Sequence, residues 1–254
     1  MTWRAVAACA VGTSHEASGA SCQDSCLHQL ISEPPKHPVL SIFVADGAGS
    51  AICGGDGANL AVEVAAELVV REYRRSERVC FDSGFAADCL RVVRERISAM
   101  ANQAGGGLRD YACTLLGVVA TPSSTLLIQI GDGGIVVDFG DGLEVPIAPA
   151  IDEYVNMTHF VTDSDALENL KVFEGGALAR RVAVFSDGLQ RLALNVSSNT
   201  AHAPFFNPFF EVLSAATADQ EDSLHEGLVQ FLNSRSLNDR TDDDKTLALA
   251  HWVG

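Results

Sequence analysis

The chain has 254 residues, of which 47% are hydrophobic and 20% are charged, and its 33 acidic residues against 17 basic ones give a net charge of −16. This apolar content is enough for a full buried core, and it excludes a disordered chain, a collagen and a short disulfide scaffold. A chain this acidic is poorly suited to displace counterions from phosphate backbones. We therefore expect no nucleic-acid partner and, for the same reason, no anionic membrane partner.

The cysteines bear on the cellular compartment of the protein, and one uncharged stretch bears on whether the chain crosses a membrane. All seven cysteines lie in the first half, and none forms a Cys-x-x-Cys motif. This pattern is typical of free thiols in a reducing compartment, so we expect a cytoplasmic protein. The uncharged stretch 111–131 is long enough to cross a bilayer, but the Thr-Pro-Ser-Ser-Thr sequence at 121–125 predicts a turn between two buried strands instead.

In chain order, the periodicities predict strands, two helices, many strands, two helices and a last strand. Early strands are predicted at 3–11, 25–31 and 39–45, and helices at 58–75 and 84–103 follow a glycine-rich turn at 54–57. Further strands are predicted at 113–120, 125–130, 135–139, 143–147, 157–162 and 182–186. Asn207 before Pro208 predicts the start of a helix at 209–218, which is followed by a helix at 223–234 and a strand at 246–253.

This order of elements predicts the fold class. Consecutive strands joined by short turns indicate antiparallel sheets rather than βαβ units. Four amphipathic helices need apolar faces to cover, and two stacked sheets supply them. We therefore predict an α+β fold in which residues 1–254 form a single layered domain.

Aspartates recur at the ends of the predicted strands. Asp46, Asp132 and Asp187 each follow an apolar run and precede a glycine, while Asp24 and Asp243 stand just before strands. A single Asp-Gly pair is also an ordinary turn. Together, carboxylates at strand ends can converge at one edge of a layered sheet, where hard cations such as Mg²⁺ or Mn²⁺ find oxygen ligands.

Seven short motifs carry a resemblance to a known family. They are Gly-Thr-Ser-His at 12–15, Cys-Gln-Asp-Ser at 22–25, Val-Ala-Asp-Gly-Ala-Gly at 44–49, Ala-Cys-Thr-Leu at 112–115, Ile-Gly-Asp-Gly at 130–133, Phe-Ser-Asp-Gly at 185–188 and Asp-Asp-Lys-Thr at 243–246. Their order resembles that of the metal-dependent protein phosphatase 2C family, and most of all its compact bacterial members. The resemblance implies a four-layer α-β-β-α sandwich, with helix pairs outside two antiparallel sheets. It also implies hydrolysis of phosphoserine and phosphothreonine in proteins by a water activated between two Mn²⁺ or Mg²⁺ ions.

The resemblance also implies roles for single residues. Asp46 would bridge the two ions and Gly47 would coordinate through its carbonyl oxygen. Asp187 and Asp243 would complete one metal, and Asp243 is chosen among its neighbours because Asp-x-x-Thr is the family spacing. Asp24 would bind an ion directly or through water.

Two further aspartates lie in or beside the family motifs. Asp132 lies in the family's Gly-Asp motif, where a structural role is expected. Asp110, just before the Ala-Cys-Thr motif, is the candidate for a third ion.

The chain departs from the family pattern around the phosphate. Gln23 replaces the usual glutamate, Gly19 stands where a phosphate-binding arginine is usual, and Ala48 replaces a histidine of some members. The metal site is therefore implied, while phosphate binding and protonation of the leaving group are not assigned. We favour His15 as the acid and Arg191 as a phosphate contact; the alternative for each is a capped or surface-paired side chain.

Three functions follow as alternatives. The first is a protein phosphatase that acts on phosphorylated protein substrates and works with a cognate serine/threonine kinase. The second is a pseudophosphatase that binds phosphoproteins without hydrolysing them, an alternative motivated by the missing arginine. The third is a metal-dependent hydrolase of small phosphate esters.

Overall fold

The computed structural model describes residues 1–76, 79–148, 158–195 and 198–254. The strands are β1 Thr2–Ala10, β2 Asp24–Ile31, β3 Val39–Asp46, β4 Leu115–Ala120, β5 Thr125–Ile130, β6 Gly134–Asp138, β7 Lys171–Gly175, β8 Arg181–Phe185, β9 Leu194–Asn195, β10 Thr200–Ala201 and β11 Lys245–Val253. A five-stranded antiparallel sheet has the order β2-β3-β4-β5-β7, and a four-stranded antiparallel sheet has the order β1-β11-β8-β6. Strands β9 and β10 form a small separate hairpin.

The described residues form seven α-helices, and the four longest of them cover the outer faces of the two large sheets. The helices are α1 Thr13–Ser18, α2 Gly54–Arg75, α3 Ser83–Ala104, α4 Gln190–Ala193, α5 Ala203–Ala215, α6 Glu221–Leu232 and α7 Arg235–Asn238, with 3₁₀ turns at Leu108–Tyr111, Asp187–Leu189 and Ala218–Gln220. In the described ranges, no helix combines the length and apolar character needed to cross a membrane.

Three apolar cores separate four layers. Along β3, Phe43 faces the core shared with α2 and α3, while Ile42 and Val44 face the core between the sheets. Along β11, Ala248 faces the same inter-sheet core, and Leu249 faces the core shared with α5 and α6. Because alternate residues of a strand point to opposite faces, both sheets are buried on both sides. The α-β-β-α sandwich of the sequence analysis is thereby confirmed.

Two of the predicted strands are wrong. Segment 143–147 forms only an isolated bridge between Val137 and Glu144, because Asp138 Oδ1 accepts hydrogen bonds from the backbone N–H groups of Gly140 and Gly142 and turns the chain there. Of the segment 157–162, Met157 lies outside the described residues and the rest is coil and turn.

Several element boundaries and short elements also differ from the sequence predictions. The glycine-rich segment 54–57 is the first turn of α2 rather than a separate turn. Helix α5 begins at Ala203, with Pro204 in its first turn, so that Pro208 lies inside the helix instead of at its start. Strand β7 and the short helix α1 are not predicted from the sequence. Helix α1 has no buried residue and therefore shows no apolar face in the sequence pattern.

Candidate metal centre

The predicted aspartates come from strand ends that the sheets bring together. Asp24 at the start of β2 is paired in register with Asp46 at the end of β3. Asp187 follows β8 after one residue, and Asp243 lies just before β11, which is the neighbour of β8. Because both sheets end at this place, four carboxylates from four strands lie at one edge of the sandwich.

Asp24 is held rigidly at the base of the cluster. Its carboxylate is buried, and Oδ2 accepts hydrogen bonds from Ser186 Oγ at 2.7 Å and from Thr246 Oγ1 at 2.6 Å. The backbone N–H of Thr246 in turn donates to Ser186 Oγ at 3.0 Å. Burial raises the pKa of Asp24 to about 6, although the two hydroxyl donors act to lower it. The carboxylate therefore joins the two sheets and keeps a charge that is costly to bury.

Asp46 has a more strongly raised pKa than Asp24 or Asp187. Burial, together with the charges of Asp24, Asp187 and Asp243, raises the pKa of Asp46 to about 11. Its backbone N–H donates to Thr114 Oγ1 at 2.9 Å, which fixes the end of β3. A carboxyl with this pKa keeps its proton at neutral pH unless another positive charge takes the proton's place.

Asp187 completes the cluster and brings Asp132 into it. Burial raises the pKa of Asp187 to about 7, and the charges of Asp132 and Asp243 are the next largest causes. Asp132 Oδ2 accepts a hydrogen bond from Thr158 Oγ1 at 2.8 Å. A structural role is predicted for Asp132 from the sequence, and its charge in addition raises the pKa of Asp187, a proposed metal ligand. An Asp-Gly pair after a buried strand, as at the other sites, was the signal for it.

The residues present fit divalent metal ions. Within the described residues, Oδ1 of Asp24 and Oδ1 of Asp187 are buried without a hydrogen-bond partner. The Gly47 carbonyl oxygen likewise accepts no hydrogen bond in that part of the chain. A Cβ on Gly47 would lie 2.4 Å from the carbonyl carbon of Gly54, so only glycine lets the chain pass this closely to α2. Unpartnered oxygens in a surplus of negative charge are the donor set that Mg²⁺ and Mn²⁺ prefer.

His15 lies beside a different aspartate. Its Nδ1 is 3.0 Å from Asp244 Oδ2, and its side chain is 22% exposed. The buried Asp244 carboxylate also accepts hydrogen bonds from the backbone N–H groups of Gly12 and Gln23, each at 2.6 Å. Nδ1 forms no hydrogen bond within the described residues, so the imidazole lies beside this carboxylate without a hydrogen bond to it. The Gln23 side-chain Oε1 is buried without a partner among the described residues.

The remaining candidates lie outside this group. Arg191 is exposed on α4 and forms no ion pair within the ranges that the structure describes. Asp110 Oδ2 accepts a hydrogen bond from Gly107 N at 2.7 Å and caps the 3₁₀ turn. Gly19 ends α1 with a φ of 73°, a left-handed conformation that disfavours the arginine usual at this position.

Comparisons with known proteins show the family and agree with the fold. The family model described as Protein phosphatase 2C matches residues 11–233. The chain is 49% identical over 253 residues to "Serine/threonine-protein phosphatase 3" of Escherichia coli (strain K12), and the match covers 100% of both chains. The fold is similar to that of Staphylococcus aureus Stp1, with a TM-score of 0.59, 13% identity and coverage of 100% and 96% of the two chains. It is also similar to that of the Mycobacterium tuberculosis phosphatase PstP/Ppp, with a TM-score of 0.62, 14% identity and coverage of 100% of each. The chain therefore belongs to the protein phosphatase 2C family, whose members are metal-dependent.

Proposed function

We propose that this protein hydrolyses phosphoserine and phosphothreonine in proteins, using two Mn²⁺ or Mg²⁺ ions. The ions would be held by the residues that the sequence analysis singled out, which are Asp24, Asp46, Gly47, Asp187 and Asp243. One observation carries the proposal. It is the convergence of carboxylates that raises the pKa of Asp46 to about 11, because such a cluster is compensated by multivalent cations.

Within the proposed site, each residue has a distinct task. Asp46 is affected by the charges of Asp24, Asp187 and Asp243, so it is best placed to lie between two ions. Ser186 and Thr246 keep the Asp24 carboxylate in one orientation. When bound, the ions supply a water of lowered pKa and compensate the charge of the phosphoryl group.

Protonation of the leaving alkoxide is proposed for His15, and a phosphate contact for Arg191. Nδ1 of His15 lies 3.0 Å from the Asp244 carboxylate, so Nε2, on the other side of the ring, is the atom that we propose as the proton donor. Arg191 lies one turn after Asp187, and its guanidinium would offer two parallel donors to a phosphoryl group. The two assignments are tested by separate variants, because loss of an acid lowers kcat and loss of a phosphate contact raises KM.

The decisive experiment measures hydrolysis of a phosphoserine peptide after removal and re-addition of metal. We expect no activity after chelation, recovery with Mn²⁺ or Mg²⁺ and poor recovery with Ca²⁺, which prefers more ligands and longer bonds. Asp187→Asn and Asp243→Asn should be inactive, whereas Asp141→Asn, an exposed carboxylate in a turn, should match the wild type.

The same experiment separates the two alternatives. Binding of the peptide without hydrolysis under any divalent ion would favour the pseudophosphatase. Hydrolysis of nitrophenyl phosphate but of no phosphopeptide would favour a hydrolase of small esters.

The substrates are phosphorylated proteins, and we propose that a cognate serine/threonine kinase supplies them in the cytoplasm. All seven cysteines are free thiols, as a reducing compartment would keep them.

A further inference from the structure

A second group of metal-ligating side chains lies on the loop that follows residue 157. The group consists of His159, Asp163 and Asp165, and one ligand atom from each lies within 4.8 Å of the other two. We propose that these three residues bind a divalent transition-metal ion at a site separate from the aspartate cluster. These residues are not predicted as a site from the sequence, because His-x₃-Asp-x-Asp is a weak signal and only the turn at 161–165 brings the three side chains together.

The backbone of this loop is fixed by buried groups. Val161 is fully buried, and its N–H donates to the Cys113 carbonyl at 2.8 Å. Arg94 Nη1 donates to the carbonyl of Val161 at 2.9 Å and also to that of Asp163. The N–H of Phe160 donates to Asp163 Oδ2 at 2.8 Å, which leaves Oδ1 for another partner. Preorganisation of this kind reduces the entropy that ion binding would cost.

His159, Asp163 and Asp165 line a cavity of about 530 Å³, which has room for an ion and its water ligands. Thr162 lines this cavity, is only 4% exposed, and has an Oγ1 without a hydrogen-bond partner in the described chain. A buried hydroxyl left unpaired costs free energy unless a water or a ligand satisfies it. Arg109 also lines the cavity, but within the described ranges it forms no ion pair with Asp163 or Asp165.

The ligand set indicates which ions fit. One imidazole and two carboxylates suit Zn²⁺, Mn²⁺ or Fe²⁺, whereas Mg²⁺ prefers oxygen ligands alone. Metal–ligand bonds of about 2.0–2.2 Å place neighbouring ligand atoms about 3–4 Å apart, so separations within 4.8 Å need to close by no more than about 1–2 Å. Asp165 is exposed and can turn inward by that amount without disturbing the core. Three protein ligands leave at least one coordination position facing the cavity.

An ion here would act on the neighbouring aspartate cluster through the loop. Thr158, next to His159 in the chain, donates its hydroxyl to Asp132 Oδ2 at 2.8 Å. The His159 carbonyl oxygen lies where a Cβ on Gly131 would be 3.1 Å away, so the loop packs directly on the Gly131-Asp132 turn. Binding would therefore hold Thr158 against Asp132, while the three ligands themselves remain outside the cluster.

The test uses the full chain with the aspartate cluster disabled by Asp46→Asn and Asp187→Asn. Calorimetric titration of this double variant with ZnCl₂ should show one remaining ion, and the titration with MgCl₂ should show none at the same concentration. Adding His159→Ala or Asp165→Asn should weaken Zn²⁺ binding at least about tenfold, as loss of one of three ligands requires. Adding His37→Ala, which removes an exposed histidine elsewhere, should change nothing.

A second measurement guards against misfolding and against binding of Zn²⁺ to thiols. In the double variant, substoichiometric Mn²⁺ should broaden the imidazole proton resonances of His159 before those of His37. Because Asp165 is exposed, the Asp165→Asn substitution should leave the circular dichroism spectrum unchanged. Equal Zn²⁺ affinity with and without His159 and Asp165, absence of any bound ion in the double variant, or unselective broadening would each overturn the proposal.

Discussion

Replacing Asp46 by asparagine should stabilise the metal-free protein while it removes the response to metal. Burial and the charges of three neighbouring aspartates raise the pKa of Asp46 to about 11, so the folded metal-free chain keeps a proton on this carboxyl at pH 7. The unfolded chain, with the ordinary carboxyl pKa of 3.8, loses that proton. Asparagine imitates the protonated carboxyl in shape and hydrogen bonding and needs no proton.

The size of the effect follows from the difference between pH and the ordinary pKa. Each pH unit above that value costs the folded state about 1.4 kcal/mol as long as the carboxyl stays protonated. The cost reaches about 4 kcal/mol at pH 7 and about 1.6 kcal/mol at pH 5, and both figures are upper limits because the cluster can relax. The folded state binds more protons than the unfolded state, so the stability of the metal-free wild type falls as pH rises through this window.

Urea unfolding of chelator-treated protein at pH 5, 6 and 7 measures this difference. We expect Asp46→Asn to have a higher unfolding midpoint than the wild type, with a gain that grows with pH, whereas Asp141→Asn should show no gain. Millimolar Mg²⁺ should stabilise the wild type, by about 2.7 kcal/mol at a hundredfold excess over its Kd, but not Asp46→Asn. A less stable Asp46→Asn protein, or a gain that does not depend on pH, would refute the electrostatic account of the cluster.

Three further variants test other parts of the site. Gly47→Ala places a Cβ 2.4 Å from Gly54, so it should lower Mn²⁺ affinity at least about tenfold, and a wild-type titration would contradict the proposed role of this carbonyl. His15→Ala should lower kcat on a phosphoserine peptide by about 10²-fold or more, with little change for nitrophenyl phosphate, whose leaving group needs no acid; equal losses on both substrates would exclude an acid role. Arg191→Ala should raise KM for both substrates, and unchanged KM values would remove Arg191 from phosphate binding.

The sequence predicted the aspartate cluster because its signals are local and periodic. An Asp-Gly pair after an apolar strand places a carboxylate at a sheet edge, and short turns between strands predict antiparallel pairing that brings such edges together. The register of Asp24 with Asp46 follows from this pairing. What could not be predicted is the partner of each side chain, since the approach of His15 to Asp244 depends on how the 228 residues between them fold.

The missed elements have the same cause. Strand β7 is a half-exposed edge strand with Lys171 and Glu174 among its five residues, so its apolar alternation is weak and only its pairing with β5 defines it. Segment 143–147 has a strand-like composition, but the turn capped by Asp138 leaves it a single bridge. In both cases a tertiary contact decided the outcome over local propensity.

Two adjacent aspartates before the last strand show how the site is divided between binding and support. Asp243 is exposed, and its charge raises the pKa values of Asp46 and Asp187, so its side chain belongs to the cluster. Asp244 is 2% exposed and accepts backbone hydrogen bonds from Gly12 and Gln23, which ties the loop before Asp24 to the start of β11.

The carbonyl oxygen of Asp244 also packs against the 3₁₀ turn that begins at Asp187. A Cβ on Gly188 would lie 2.0 Å from it, so the turn after Asp187 packs directly against this backbone. One buried residue therefore fixes the spacing between the segments that carry Asp24, Asp187 and Asp243. A cluster of mutually repelling carboxylates keeps its geometry only where the surrounding backbone is held in this way, and here Asp243 adds its charge to the cluster while the neighbouring Asp244 holds the backbone.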